Sequence, residues 1–122
     1  MPNPIDSTEG GLTMIYESRR YECFPGKLPA LQVMMEKMAL PTFEKYGMQF
    51  IGAWSVISGE QDGTLIYLLA FDSLDDRMKK WEDFHKDEWW NAQKKLTHEK
   101  DGPLVARQTT TFLKPAAYSP LK

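Results

Sequence analysis

The chain has 122 residues, 42% of them hydrophobic and 26% charged, with fifteen basic against seventeen acidic side chains and a net charge of −2. This is the balance of one ordinary globular domain. No apolar run approaches the roughly 20 residues that a membrane span needs, and the basic residues are scattered among acids, not gathered into the stripe that nucleic acid binding requires.

The single cysteine, Cys23, excludes an intrachain disulfide and a thiolate metal site, so a reducing cytoplasm is the compartment that fits. Residues 1–11, MPNPIDSTEGG, lack the basic start and apolar core of a secretory signal and are expected to form an arm ahead of the domain. In residues 12–22, LTMIYESRRYE, strand alternation puts Met14, Tyr16, Ser18 and Arg20 on one face and Ile15, Glu17, Arg19 and Tyr21 on the other. FPGK signals a turn. Leu28, Leu31, Met35 and Met38 then have helical spacing; Pro41 predicts a kink near Ala39, and Gly47 ends the helix.

MQFIGAWSVIS reads as the second strand, with Phe50, Gly52, Trp54 and Val56 on one face, and GEQDG as the hairpin to TLIYLLAF, the third. Both faces of this pair are apolar, so each needs a cover. Ser73 and Asp76 have capping-box spacing for a helix over SLDDRMKKWEDFHK, whose inner face is expected to carry Met78, Trp81 and either Phe84 or His85. Asp87 caps a further helix, EWWNAQKKL. DGP then turns the chain into LVARQTTTFL, the last strand, and residues 115–122 form an irregular tail.

The order β-α-β-β-α-α-β predicts an α+β domain over residues 12–114: a ferredoxin-like four-stranded antiparallel sheet with its helices on one face. A domain of this size buries only about two-thirds of its unfolded surface. A second copy covering the open face would make a homodimeric α+β barrel.

IYESRRYECFPGK, YGMQFIGAWSVISGE and LAFDSLDDR, followed by DEWW, resemble the NIPSNAP family of the dimeric α+β barrel superfamily. Gly52 and Trp54, the run from Phe71 to Arg77, and the run from Asp87 to Trp90 carry the resemblance most specifically. Ser18 stands where the family often has leucine and Leu69 where it often has tryptophan, which implies an enlarged cavity; His85 adds a proton carrier where small residues are common. The resemblance implies the fold and the dimer. For activity it implies a range, since the superfamily holds cofactor-free monooxygenases, cyclases, haem-degrading enzymes and plain binding proteins.

No glycine-rich phosphate loop, zincin motif, nucleophile elbow or Cys-x-x-Cys is present, so any chemistry must come from side chains that the fold assembles. His85 is the candidate general acid or base, against a surface histidine at a helix C-terminus as the plainer alternative. Trp54 and Tyr67 are expected to share a side, as pocket wall and polar handle or as ordinary core. Glu17, Arg19 and Tyr21 share one face of the central strand, where an ion pair is favoured over an anionic-substrate site. Arg77, in the first turn of its helix, needs a carboxylate, with Asp72 a candidate. Trp81, Trp89 and Trp90 read chiefly as packing anchors, and the two adjacent tryptophans cannot both face inward.

These residues point to a cofactor-free isomerase or cyclase acting on a hydrophobic carbonyl or aromatic metabolite, chemistry typical of secondary metabolism. His85 would be the acid/base, Tyr67 or Arg19 would stabilise oxyanion charge, and Trp54, Ser18, Leu69, Trp81 and Tyr16 would line the pocket. No cofactor and no metal are expected. The alternatives are a non-catalytic binding or scaffold module and a haem-binding protein with His85 as axial ligand.

Overall fold

The sheet is built around β1 (Ile15–Cys23), which pairs antiparallel with β3 (Thr64–Phe71) on one side and β4 (Val105–Leu113) on the other; β2 (Gln49–Ser55) adds to β3, giving the order β2-β3-β1-β4. This is the expected ferredoxin-like arrangement. The computed structural model describes residues 14–59 and 63–121, so the expected arm, the first two residues of the predicted first strand and the middle of the 59–63 hairpin lie outside the described residues.

The first helical stretch is made of three pieces: α1 (Leu28–Met34), a π-helical segment (Met35–Ala39) and α2 (Leu40–Lys45). In a regular α-helix the ring of Pro41 would strike the carbonyl of Lys37, and the wider π turn relieves that clash. The predicted kink near Ala39 thus takes the form of an unwound turn. Leu31, Met35, Ala39 and Phe43 keep one buried face through it. At Gly47, φ is +68°, and the amides of Gly47 and Met48 bond the carbonyls of Glu44 and Phe43 at 3.1 and 2.9 Å, a Schellman ending that the glycine permits.

α3 (Leu74–His85) begins at Ser73, whose hydroxyl accepts the Asp76 amide at 3.0 Å, as the capping spacing predicts. Its inner face differs from the expectation. Met78 is 63% exposed, while Trp81 and Phe84 are buried, so Phe84 takes the inward place and His85 lies one step round the helix. α4 (Glu88–Asp101) starts from the predicted cap, Asp87, but runs five residues beyond the expected end at Leu96. One Asp87 oxygen accepts the Trp90 amide at 2.7 Å, and the other accepts Lys45 Nζ at 2.6 Å and the Tyr46 hydroxyl at 2.7 Å. That side chain therefore ties the α3–α4 corner to the end of α2.

A break in β2 decides which side chains face the helices. Phe50 pairs with Leu69, but the next pair is Gly52 with Leu68, so Ile51 drops out of register as a β-bulge. Beyond it Ala53 is opposite Tyr67 and Trp54 opposite Ile66. Simple alternation places Phe50 and Trp54 together. The extra residue instead leaves Phe50 packed on Tyr67 inside and turns Trp54, 54% exposed, to the outer face. The Trp54 indole folds back over Gly52, where an added Cβ would come within 3.0 Å of the ring, which accounts for the glycine two residues before it.

Candidate functional site

Glu17 lies on the helix-facing side of β1 with no solvent exposure. A carboxylate buried this way must be satisfied by donors or lose its charge. Its Oε1 accepts Arg77 Nε at 2.9 Å and Trp81 Nε1 at 3.0 Å, and its Oε2 accepts Arg77 Nη2 at 3.0 Å and Arg19 Nη1 at 2.7 Å. Burial pushes the Glu17 pKa up, but the bonds from Arg77, Arg19 and Trp81 outweigh it and hold the carboxyl below its ordinary 4.5. The favoured ion pair on this strand is present. The expected partner of Arg77 is corrected: Glu17 takes it, not Asp72, because the long Arg77 side chain reaches from α3 to the buried carboxylate on β1.

From this cluster polar contacts lead along the strand. Arg19 Nε donates to the Tyr21 hydroxyl at 3.1 Å, and the Tyr21 and Tyr67 hydroxyls meet at 2.8 Å. Burial, then the neighbouring Tyr21, push the Tyr67 pKa well above 10, so Tyr67 stays a neutral phenol. The Arg19 guanidinium sits 4.5 Å from the Trp81 ring centroid, a cation–π contact on a residue that already bonds Glu17.

A cavity of about 680 Å³ opens beside these groups between the sheet and helices α3 and α4. Arg19, Tyr21 and Tyr67 form its sheet wall, and Phe43, Phe84 and Trp90 are among its apolar lining. His85 borders it too: the imidazole is stacked on Trp81 with ring centroids 5.3 Å apart and planes inclined at 22°. Partial burial, followed by the positive charges of Lys94, Arg19 and Arg77, lowers the His85 pKa from 6.5, so the ring is a neutral base at pH 7. The side-chain Nδ2 of Asn91 donates to the His85 carbonyl at 2.9 Å and so fixes the end of α3 against the first turn of α4.

The structure divides the sequence-predicted site residues by sheet face. Arg19, Tyr67, Trp81 and His85 all border the cavity. Leu69 is fully buried beside Glu17 in the ladder, and it is not among the lining residues. Tyr16 and Ser18 pair with Ala70 and Leu68 on the opposite face of β1, the side on which Trp54 also lies. The expectation that Trp54 and Tyr67 share a side is therefore corrected, the bulge being the reason; of the two residues left open for the inner face of α3, Phe84 takes it, and His85 still borders the cavity. Tyr21, weighed with Arg19 on the same strand face, also lines the cavity, and so do Asn91 and Lys94, which were missed. A helical step of four from Trp90 was the signal that could have found Lys94. Among the described residues no three His, Cys, Asp or Glu side chains come together as a metal site.

The NIPSNAP family model matches residues 16–120. The chain belongs to the NIPSNAP family. A NIPSNAP family protein of Agrobacterium tumefaciens is 23% identical, with a TM-score of 0.79 over 89% of this chain and 99% of that one. A second from the same organism, of unknown function, is 26% identical with a TM-score of 0.77, covering 89% of this chain and 94% of the other. A candidate antibiotic biosynthesis monooxygenase from Caulobacter crescentus shares the fold at 14% identity and a TM-score of 0.57, over 87% and 92% of the two chains. Among curated proteins none matches. The NIPSNAP assignment carries the α+β, ferredoxin-like architecture with it, and no helix among the described residues is long and apolar enough to cross a membrane.

Proposed function

We propose that this NIPSNAP protein is a cytoplasmic, cofactor-independent enzyme that binds a small, largely apolar carbonyl or aromatic metabolite between sheet and helices and moves a proton on it. The observation that carries this reading is the meeting, around one Trp81 indole, of a neutral imidazole and a guanidinium. His85 removes a proton from carbon next to the substrate carbonyl. The oxygen that gains negative charge is held by Arg19 and by the Tyr21–Tyr67 hydroxyl pair, and the imidazolium returns the proton at another carbon, which is an isomerisation, or after ring closure, which is a cyclisation. The volume suits a ligand of drug size, and the aromatic lining suits a flat one.

The same reading includes a homodimer formed through the outer sheet face. Ile66 and Leu68 stand there half-buried beside the exposed Trp54, an apolar surface on the side of the sheet away from the cavity and its helices. The experiment is to incubate the protein in D2O with a panel of aryl 1,3-dicarbonyl compounds and follow carbon-bound deuterium by NMR. Exchange above the buffer rate that disappears in His85→Ala supports the enzyme. Ligand binding with no exchange in any member of the panel would leave a binding module.

A further inference from the structure

The cluster beside the cavity, which Arg19 and Trp81 join to it, is not neutral. Glu17 supplies one negative charge, while Arg19 and Arg77 supply two positive ones, and both Glu17 oxygens are already taken by four donors. Arg77 is partly open to solvent, but Arg19 is 8% exposed, faces the cavity and has only a share of Glu17, so a further anion beside it offsets the cost of burying its charge. Arg19 Nε and Nη1 are engaged by Tyr21 and Glu17, whereas Nη2 takes part in neither bond. The rest of the cavity has the same sign. Lys94 and Lys95 line it along α4, and among the described residues no Asp or Glu does, although acids outnumber bases in the chain as a whole. Tyr67 cannot supply the missing charge, because it is held as a neutral phenol.

We propose, resting on the pocket reading above, that the ligand is an apolar acid: an aromatic or aliphatic body against Phe43, Phe84 and Trp90, and one carboxylate directed to Nη2 of Arg19, which leaves the developing oxyanion to the Tyr21–Tyr67 hydroxyl pair. Lys94 and Lys95 then act as the outer part of the same positive field, drawing the anion in and favouring it over neutral analogues.

The test uses the full chain and three probes of one shape: 2-naphthoate, its methyl ester and 2-naphthylmethylammonium. Calorimetry gives affinities, and the NMR shift of the Trp81 indole N–H reports occupancy of the cavity. Naphthoate is expected to bind about tenfold more tightly than the ester, the scale of one hydrogen bond to a charged group. That preference should shrink with added salt and in Lys94→Gln/Lys95→Gln, an exposed pair whose loss leaves the fold intact. Arg19→Gln should abolish the preference if it folds. If the ester or the ammonium probe binds as tightly as naphthoate while still shifting Trp81, the acid inference fails and the pocket reading stands. If none of the three shifts Trp81, both fail.

Discussion

Arg77 reaches back sixty positions along the chain to hold Glu17 in a two-point contact, Nε to Oε1 at 2.9 Å and Nη2 to Oε2 at 3.0 Å. Helix α3 is thereby fastened to the central strand through a carboxylate that no water reaches. Glu17→Gln removes the charge from between two guanidiniums, and breaking a buried pair in this way costs about 3–5 kcal/mol. Arg77→Gln should cost less, because Arg77 is partly exposed and Arg19 still serves Glu17. Urea unfolding of the two variants checks the order. An equal or reversed loss would mean that Arg19 alone does not satisfy Glu17 once Arg77 is gone.

His85→Ala is expected to leave the protein folded and to lower proton-transfer turnover about a hundredfold or more. The depressed His85 pKa fixes the direction of the pH dependence. The base form persists below pH 6.5, and kcat/KM falls only as the imidazole takes up its proton. Lys94→Gln removes a positive neighbour and should move that midpoint upward. An NMR titration of the imidazole reads both values, and a wild-type midpoint above 6.5 would contradict the assignment.

At Asp87 two substitutions separate cap from charge. Asp87→Asn keeps an oxygen for the Trp90 amide, whereas Asp87→Ala loses it, a further cost of about 0.5–2 kcal/mol for an N-cap. The hydrogen bonds from Lys45, Tyr46 and Trp90 hold the Asp87 carboxyl at about 2, against an ordinary 3.8. Its folded pKa is the lower one, so its contribution is complete above pH 3.8 and is lost as pH falls through about 2. Circular dichroism through that window should show a shallower acid loss in Asp87→Asn than in the parent.

Trp54→Ala and Trp81→Ala should fail in different ways. Truncating Trp81, buried against Phe43 and Phe84, costs about 3–5 kcal/mol. Truncating Trp54 should leave the subunit folded and weaken self-association through the outer face. Sedimentation equilibrium of Trp54→Ala across a concentration series reads this directly, and a parent chain that stays monomeric at high micromolar concentration would remove the dimer altogether.

Most of the fold was legible because alternation and helical spacing are local. Ser73 and Asp87 announced both caps, and Pro41 announced the irregular turn. The site was less legible, for two physical reasons. Neighbouring positions on a helix differ by about 100°, so Phe84 and His85 could not be told apart until packing on Phe43 and Trp90 settled which ring goes inside. The partner of Arg77 depends on which strand α3 crosses, and nothing near it in the chain carries that information; Asp72 was simply the nearest carboxylate. The bulge did leave one trace, a glycine in the interior of a strand.

That bulge bears on how the strand can change by descent. Ile51 is the residue left over in the β2–β3 ladder. A relative lacking its codon would keep Phe50 opposite the residue in place of Leu69, and its tryptophan opposite the residue in place of Ile66, with a straighter edge strand. A gap of one position here is therefore neutral to the face that every later side chain occupies. Alignments that slide the tryptophan to close such a gap would instead move an indole from one side of the sheet to the other.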